Sequence, residues 1–224
     1  MKLYISQIDK EIPFLENFAQ VLIIEKRELF SDILMSFWKQ CNGEEGTLIL
    51  SEDDKLLSLN KKSIFIINPF ALDCNEKKVI NYLYKELERI ISEKFTLNFL
   101  EQNGNNIRLI EQINDVSPYP LDYNIDIGVV DFLKLYNVKL QIDEGTLLEK
   151  IIDYIRTYHR ICGISLFIFV NLKLYLSEIE LHDLYEFMFY EKVFSLDLEG
   201  NFIAKNENEH CIIVDKDLCI INLD

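Results

Sequence analysis

The sequence contains no apolar run that approaches the roughly 18 residues needed to cross a membrane. Its first residues, MKLYISQIDKEIPF, include a lysine but no apolar core, so we expect no secretory signal. The five cysteines form no CxxC pair, are odd in number, and mostly have apolar neighbours. These absences argue against a membrane protein, a secreted protein or a zinc site, and they favour a cytoplasmic protein with reduced thiols.

Glycine is missing where a nucleotide-binding fold would need it. Residues 20–25 predict a short buried strand, and apolar residues at helical spacing follow from Leu29 to Cys41. A phosphate-binding loop at such a junction requires glycines, a lysine and a Ser or Thr, because its backbone N–H groups must wrap the phosphates. The junction that begins at Glu25 reads EKRELFS, which has no glycine and has two glutamates that would repel phosphate. The sequence therefore argues against nucleotide hydrolysis.

Basic residues are also few: 23 Lys and Arg face 38 Asp and Glu, which gives a net charge of −15. This charge argues against a protein that simply coats nucleic acid. Acids outnumber bases over residues 111–153 and 197–224, whereas the first half contains the basic pairs Lys26-Arg27, Lys61-Lys62 and Lys77-Lys78. The acids can form a solvated surface. Alternatively, they hold hard cations while a separate basic face meets a polyanion.

The chain is organised around residues 164–197, which predict a βαβ unit. The continuous apolar run LFIFV is typical of a strand buried on both faces. Ser177 and Glu180 form a capping box before a helix, and a second strand returns near Val193, so we expect the two strands to be parallel. The first strand ends at Asn171, where nucleotide-hydrolysing folds place a magnesium-binding Asp.

The remaining pattern predicts an α/β protein with a helical insert. Further strands are expected near residues 3–5, 47–50 and 63–67, and a C-terminal hairpin should add antiparallel strands to one sheet edge. Asp73 with Glu76, and Thr146 with Glu149, predict helix caps, while residues 103–106 and 117–120 read as loops. We therefore predict a head domain of residues 1–72 and 163–224 with a mainly parallel sheet, and an inserted helical domain of residues 73–162.

No catalytic residue can be assigned. The three histidines lie outside any recognised nucleophile motif, and the many acids give no reason to choose a catalytic pair. The spacing of Asp122, Asn124 and Asp126 resembles the opening of a calcium-binding loop, although the glycine and the last acid of an EF-hand are missing. The same spacing also fits a polar turn in which Asp126 caps a helix over residues 127–136.

Several strings, in the same order and spacing, resemble the small type II-A CRISPR-associated adaptation proteins of the Csn2 family. The resemblance runs from about residue 3 to the end and rests on LFSDIL, INPFALDCN, FLKLYNVKL, LLEKIIDYI, LFIFVN and IIVDKDLCII.

This resemblance implies an ABC-ATPase-like α/β head without a functional P-loop and an inserted helical leg. It further implies a homotetrameric ring that holds Ca²⁺, encloses double-stranded DNA and acts in spacer acquisition for antiviral defence, beside the integrase pair and the effector nuclease. No catalytic activity and no membrane partner are expected. The calcium ligands implied are Asp122, Asp126 and Asp131.

Two function classes follow from these expectations. In the first, a non-catalytic ring binds the ends of linear DNA without regard to sequence. In the second, the protein is an interaction scaffold of the adaptation complex and its DNA contact is incidental. For the first class, the candidate phosphate contacts are Lys26, Arg27, Lys61, Lys62, Lys134 and Lys139.

Overall fold

The structure, a computed structural model, describes residues 1–142 and 144–223. The chain forms two compact units: unit 1 is Met1–Cys74 with Asp143–Asp224, apart from the two residues left undescribed, and unit 2 is Asn75–Ile142. The elements in chain order are β1 (Lys2–Ile5), β2 (Lys10–Pro13), β3 (Ala19–Ile24), α1 (Arg27–Cys41), β4 (Ile49–Glu52), β5 (Lys55–Leu57), α2 (Leu59–Lys62), β6 (Ser63–Ile66), α3 (Lys77–Lys94), α4 (Thr96–Val116), α5 (Val129–Leu135), α6 (Leu147–Cys162), β7 (Leu166–Val170), α7 (Glu178–Tyr190), β8 (Phe194–Glu199), β9 (Glu209–Val214) and β10 (Ile220–Leu223).

Unit 1 is built on a six-stranded sheet in the order β10-β9-β3-β8-β7-β6. Every neighbouring pair is parallel except β9 and β10. The predicted βαβ unit is confirmed, because β7, α7 and β8 follow one another and the two strands pair in parallel. All residues of β3 and β7 are buried, as expected for strands covered on both faces. The mainly parallel α/β fold is therefore confirmed.

A second, four-stranded antiparallel sheet in the order β2-β1-β4-β5 packs in the same unit. Leu3 and Ile5 of β1 and Leu50 of β4 point into a core shared with α1 and one face of the large sheet. The sequence predicted β1 and β4 as strands but did not separate them from the large sheet. Alternation of apolar residues indicates a half-buried strand, but it does not reveal which sheet the strand joins.

Two capping boxes fix the starts of α6 and α7. The hydroxyl of Thr146 accepts from the backbone N–H of Glu149, and the Glu149 carboxylate accepts from the N–H of Thr146. Ser177 and Glu180 repeat this arrangement at α7. Gly163 ends α6 with φ +70°, a left-handed conformation that costs little without a Cβ. These predicted helix boundaries are confirmed.

Two local predictions in unit 2 were wrong. Residues 103–106 do not form a loop but lie inside α4. There Gln102 Nε2 donates to Asn106 Oδ1 at 3.2 Å, and a pair spaced i,i+4 stabilises a helix even when its residues favour turns. In addition, α3 begins at Lys77 with Glu76 as N-cap, whose side chain makes no capping hydrogen bond, so the helix starts later than a cap at Asp73 would place it.

The C-terminal hairpin also differs from its prediction. The strands β9 and β10 are antiparallel to each other, but β9 lies parallel to β3 inside the sheet. This is possible because residues 200–208 carry the chain from the carboxyl end of β8 back to the end of the sheet where β9 begins. The Nζ of Lys173 anchors this segment by donating to Ala204 O at 2.5 Å.

The insert predicted over residues 73–162 differs from the compact helical unit, which is Asn75–Ile142. The helix α6 belongs to unit 1 because its apolar face, including Ile151 and Ile155, is buried there. Arg160 of α6 also pairs with Glu191, with 2.6 Å between Nη2 and Oε1. Among the described residues, no helix combines the length and the apolar character required to span a bilayer.

Candidate functional site

The carboxyl ends of β3, β7 and β8 lie at one edge of the large sheet, where doubly wound α/β folds bind ligands. Only Glu25 and Lys26 connect β3 to α1. The backbone N–H of Glu25 donates to Val214 O at 3.0 Å, so the chain turns into the helix directly after the strand. A connection of two residues without glycine cannot wrap a phosphate group.

Asn171 follows β7 at the same edge, and its side chain hydrogen-bonds to the backbone. It adopts a left-handed conformation with φ 53°, and its Oδ1 accepts from the N–H of Gly200 at 3.0 Å. This hydrogen bond joins the end of β7 to the end of β8. The side-chain oxygen at the position of the expected magnesium ligand is therefore engaged in holding two strand ends together.

These strand ends enclose a pocket of about 320 Å³, which we call the carboxyl-edge pocket. Its polar walls include Glu25, Arg27, Asn171 and Glu199, and Phe30 supplies an aromatic wall. The pocket therefore contains two carboxyl groups, those of Glu25 and Glu199, and one guanidinium group, that of Arg27. Arg27 is exposed, whereas Glu199 is only 1% exposed. Because solvent screens an exposed charge more than a buried one, Arg27 only partly offsets the two acids when they are ionised. Ionised acids in this pocket disfavour phosphate.

Behind the pocket lies a buried carboxylate cluster formed by Asp197, Glu199 and Glu209, together with Lys173 and Tyr185. Each of the three acids is at most 2% exposed. The Nζ of Lys173 lies 2.6 Å from Glu209 Oε2, and the backbone N–H of Lys173 donates to Glu199 Oε1 at 3.1 Å. The Tyr185 hydroxyl lies 2.5 Å from Asp197 Oδ2 and 3.1 Å from Glu209 Oε1. One ammonium group thus faces three carboxyl groups.

Burial raises the pKa of two of these acids. Desolvation raises the pKa of Asp197 to about 6, against hydrogen bonds from Ser195 and Tyr185 that lower it. Desolvation likewise raises the pKa of Glu199 to about 7, opposed by the hydrogen bond from the Lys173 backbone. The neighbouring carboxylates raise both values further, because like charges disfavour ionisation. The cluster therefore retains protons at pH values where exposed carboxyl groups have lost them.

Sequence reasoning missed this cluster, although β8 contains a signal for it. Ser195, Asp197 and Glu199 alternate with Leu196 and Leu198, a pattern that normally indicates a strand with one solvated face. In a parallel sheet both faces are covered, so polar alternation within a βαβ unit indicates a buried polar network. That inference requires β8 to lie inside the sheet, and the order of strands cannot be read from the sequence.

The predicted calcium ligands lie in unit 2 and are exposed. Asp122 and Asp126 belong to the irregular segment between α4 and α5, where Asn124 Oδ1 accepts from the N–H of Asp126 at 2.9 Å. Asp131 lies in α5, and its Oδ1 is 3.4 Å from Lys134 Nζ. In residues 1–142 and 144–223, no three Asp, Glu, His or Cys side chains converge as metal ligands. These acids offer the hard oxygens that calcium prefers, but a single chain does not assemble them into a cage.

Two asparagines of α4 hold this irregular segment in place. Asn114 Oδ1 accepts from the N–H of Leu121 at 2.9 Å, and Asn103 Nδ2 donates to Ile125 O at 3.3 Å. Asn103 belongs to the string that was predicted to be a loop. Its position within α4 allows its side chain to anchor the segment that carries Asp122 and Asp126.

The candidate DNA contacts of unit 1 do not form one patch. Lys26 and Arg27 follow β3 at the carboxyl edge of the sheet, whereas Lys61 and Lys62 precede β6 at the amino edge. The two pairs also lie at opposite ends of α1, which at 1.5 Å per residue is about 22 Å long. Lys26 is half-buried, whereas Arg27 and Lys61 are exposed.

In unit 2, Lys134 pairs with Asp131 and Lys139 is exposed. Lys139 stands in a segment tied to α3, because the Tyr84 hydroxyl donates to Val138 O at 3.1 Å and Asn75 exchanges two hydrogen bonds with Leu140.

Unit 2 exposes many large apolar side chains. No residue of α4 is buried, and Leu97 and Val116 of that helix are 81% and 83% exposed. Leu135 and Tyr136, at the end of α5, are also mostly exposed. Large exposed apolar side chains of this kind are common on surfaces that contact another molecule.

All three histidines make contacts within the structure. His159 Nδ1 lies 2.7 Å from Ile164 O at the end of α6, and His210 Nδ1 lies 3.0 Å from Gln20 Oε1. His182 Nε2 lies 3.5 Å from Glu186 Oε1 on the surface of α7. None of these contacts joins a histidine to a Ser or Cys, so they supply no nucleophile–base pair.

Known proteins resemble this chain in sequence or in structure. The model of the family Cas_Csn2, described as a CRISPR-associated protein, matches residues 40–218. The CRISPR-associated protein Csn2 of Streptococcus agalactiae is 24% identical over 183 residues, which cover 79% of each chain. The crystal structure of Stu0660 of Streptococcus thermophilus covers 100% of this chain and 76% of that one, with 13% identity and a TM-score of 0.62. A nucleotide-free ATP-binding cassette from an ABC transporter covers 95% of this chain and 87% of that one, with 12% identity and a TM-score of 0.45.

Proposed function

Because this chain belongs to the Csn2 family of CRISPR-associated proteins, which implies a role in CRISPR adaptation, we propose that it binds the ends of double-stranded DNA during spacer acquisition. In this proposal it acts without catalysis, as a calcium-dependent homotetrameric ring beside the integrase pair and the effector nuclease. The observation that carries the non-catalytic part is the acidic carboxyl-edge pocket, where a nucleotide-hydrolysing fold would bind phosphate.

Three features of that edge support the absence of ATP turnover. The β3–α1 connection is too short for a phosphate loop, Asn171 replaces an acid, and Glu25 and Glu199 face the pocket. We expect ATP hydrolysis to remain at the level of a protein-free blank. ATP turnover that is lost on changing Asn171 to Ala would overturn this part of the proposal.

DNA binding by a chain of net charge −15 requires local basic surfaces. The pairs Lys26-Arg27 and Lys61-Lys62 are separated along the sheet by α1, a helix about 22 Å long, so each supplies its own basic surface. The sequence contains no motif that resembles a known DNA recognition helix, so we propose contacts to the phosphate backbone alone. Binding should therefore be independent of sequence and should weaken as salt rises.

The assembly part of the proposal is supported by unit 2. Its exposed apolar side chains, Leu97, Val116 and Leu135 among them, supply surface that a second copy can bury. The calcium part is supported by the oxygen donors Asp122, Asp126 and Asp131. Because the described residues of one chain supply no group of three acids able to hold a metal ion, we propose that water or a second copy completes the coordination sphere.

The test of the proposed function compares DNA topologies in a gel-shift experiment. A closed ring must thread onto a free end, so linear duplex should bind in calcium whereas covalently closed circles of the same sequence should not. Lys61→Glu with Lys62→Glu should weaken binding to linear DNA, and the exposed Lys192→Glu serves as a single-charge control. Equal binding to both topologies would exclude threading.

A second candidate function is that of an interaction scaffold. The apolar surface of unit 2 favours it as well, because such a surface serves a different protein as readily as a second copy. Light scattering with and without calcium separates the two. A tetramer in calcium supports the ring, whereas a monomer in both conditions, together with no gel shift on linear DNA, supports the scaffold.

A further inference from the structure

The carboxyl-edge pocket has the size and position of a ligand site that the DNA-binding proposal does not use. Its volume of about 320 Å³ lies within the range of small-molecule sites, and it occupies the carboxyl ends of three parallel strands. Its walls combine apolar groups, among them Ile24, Phe30 and Leu174, with a few polar groups. Such a lining suits a ligand that has both an apolar body and a polar end.

One carboxylate oxygen of a mostly buried side chain is open to this pocket. Glu199 is 1% exposed and lines the pocket. Its Oε1 accepts from the backbone N–H of Lys173, but the described residues provide no hydrogen bond to Oε2. Because it lines the pocket and makes no hydrogen bond within the described residues, Oε2 is available to a donor on a ligand.

The charges around the pocket determine whether it favours a cationic or an anionic ligand. Glu25 and Glu199 contribute two acids to the pocket, and Glu199, whose pKa is raised to about 7, is mostly ionised only above that pH. Arg27 opposes this field, but it is exposed and therefore screened by solvent. An anion is disfavoured, whereas a group that brings positive charge to Glu199 gains a weakly screened attraction.

The shape of the pocket argues for an organic cation over a metal ion. A hard cation needs several oxygens arranged as ligands, and among the described residues no three acids are arranged to hold a metal ion. Phe30 forms one wall, and the face of an aromatic ring attracts ammonium and guanidinium groups. The volume exceeds that of a single ion and accommodates such a group together with an alkyl chain.

We propose that the carboxyl-edge pocket binds an alkylammonium or alkylguanidinium group, with Glu199 Oε2 as its principal acceptor. The group can belong to a free amine or to an exposed Lys or Arg side chain of another protein, which share this chemistry. The alkyl part packs against Ile24 and Leu174, and Glu25 contributes a second acceptor at the exposed side. Apart from Arg27, which is also a candidate DNA contact, the pocket contains none of the residues named for DNA or calcium binding.

Calorimetry on the full chain tests the proposal with two probes, agmatine as a free cation and the blocked peptide acetyl-Gly-Arg-Gly-amide as a side-chain donor. We expect at least one probe to bind, and the tighter one identifies the source. Glu199→Gln should weaken binding about tenfold, because a charge-assisted hydrogen bond is lost in a buried site. Arg27→Ala should strengthen it about twofold, since one screened repulsion is removed. The exposed Glu44→Gln is the matched control and should change nothing.

An NMR titration of the wild-type protein keeps the proposal testable if a variant fails to fold. Agmatine or the peptide should shift the amide signals of Glu25, Asn171 and Gly200, which surround the pocket. Absence of binding by both probes, or shifts confined to other regions, would overturn the proposal. So would inorganic phosphate binding that is lost in Arg27→Ala and enhanced in Glu199→Gln.

Discussion

The hydroxyl oxygen of Tyr185 lies 2.5 Å from Oδ2 of Asp197, and neither residue is exposed to solvent. The same hydroxyl lies 3.1 Å from Glu209 Oε1. A phenol has one proton to donate, so the two carboxyl groups compete for it unless one of them carries a proton itself. The raised pKa of Asp197, about 6, agrees with a proton held inside this cluster.

Replacing Tyr185 with Phe should destabilise the protein while preserving the volume of the core. The substitution leaves two buried carboxyl groups without their shared donor, and we expect a loss of about 1–3 kcal/mol in the free energy of unfolding. Urea denaturation measures this loss. Tyr190→Phe, at a site 83% exposed on the same helix, is the control and should change stability by less than about 0.5 kcal/mol. Equal effects of the two substitutions would contradict the assigned hydrogen bonds.

The pair of Lys173 and Glu209 should respond asymmetrically to substitution. Both side chains are buried, with 2.6 Å between Nζ and Oε2. Lys173→Met leaves a buried acid without its cation and should cost about 3–5 kcal/mol of unfolding free energy. Adding Glu209→Gln removes the orphaned charge, so the double variant should be more stable than Lys173→Met alone. Additive losses in chemical denaturation would show that the two groups act separately.

Glu199 should make stability fall as pH rises toward neutrality. Its pKa is about 7 in the folded protein against an ordinary value of 4.5, so between these values the folded state binds a proton that the unfolded chain has released. The contribution is fully present below about pH 4.5 and is lost as the pH passes about 7, with an upper bound of about 3 kcal/mol. Denaturation midpoints at pH 5, 6, 7 and 8 should therefore fall less steeply in Glu199→Gln than in the wild type. Parallel profiles would show that Glu199 does not titrate in this range.

Calcium should raise the melting temperature, and magnesium should raise it less, because magnesium gives up its water ligands reluctantly. The physical reason is that a divalent ion relieves repulsion among the acids of unit 2 and binds the folded state preferentially. Asp122→Ala with Asp126→Ala should abolish the increase in thermal scans. The exposed pair Glu44→Ala with Glu45→Ala removes the same charge from unit 1 and should leave the response intact. An unchanged melting curve across millimolar calcium would count against the site.

Local signals in the sequence predicted local structure well. The caps at Thr146 and Ser177 and the stop at Gly163 act through neighbouring backbone groups, so their positions could be read directly. The prediction of a loop at residues 103–106 was wrong because tertiary contacts can override the preference of these residues for turns. One such contact is the hydrogen bond from Asn103 to Ile125 O.

Features that depend on the order of strands could not be predicted. The parallel pairing of β9 with β3 and the separate antiparallel sheet depend on which strands are neighbours, and no local pattern encodes this. The buried carboxylate cluster has the same origin, since Lys173, Tyr185, Asp197 and Glu209 come from four different segments. The absence of a phosphate loop was predictable because it concerns consecutive residues.

The length of the β3–α1 connection has an evolutionary consequence. A phosphate-binding loop needs about five residues between its strand and its helix, and this chain has two. Substitution alone cannot supply the missing backbone, whatever residues are introduced at Glu25 and Lys26. Nucleotide binding at this edge would require an insertion together with a change of the surrounding acids. The edge is therefore free to diverge toward other ligands without passing through an ATPase.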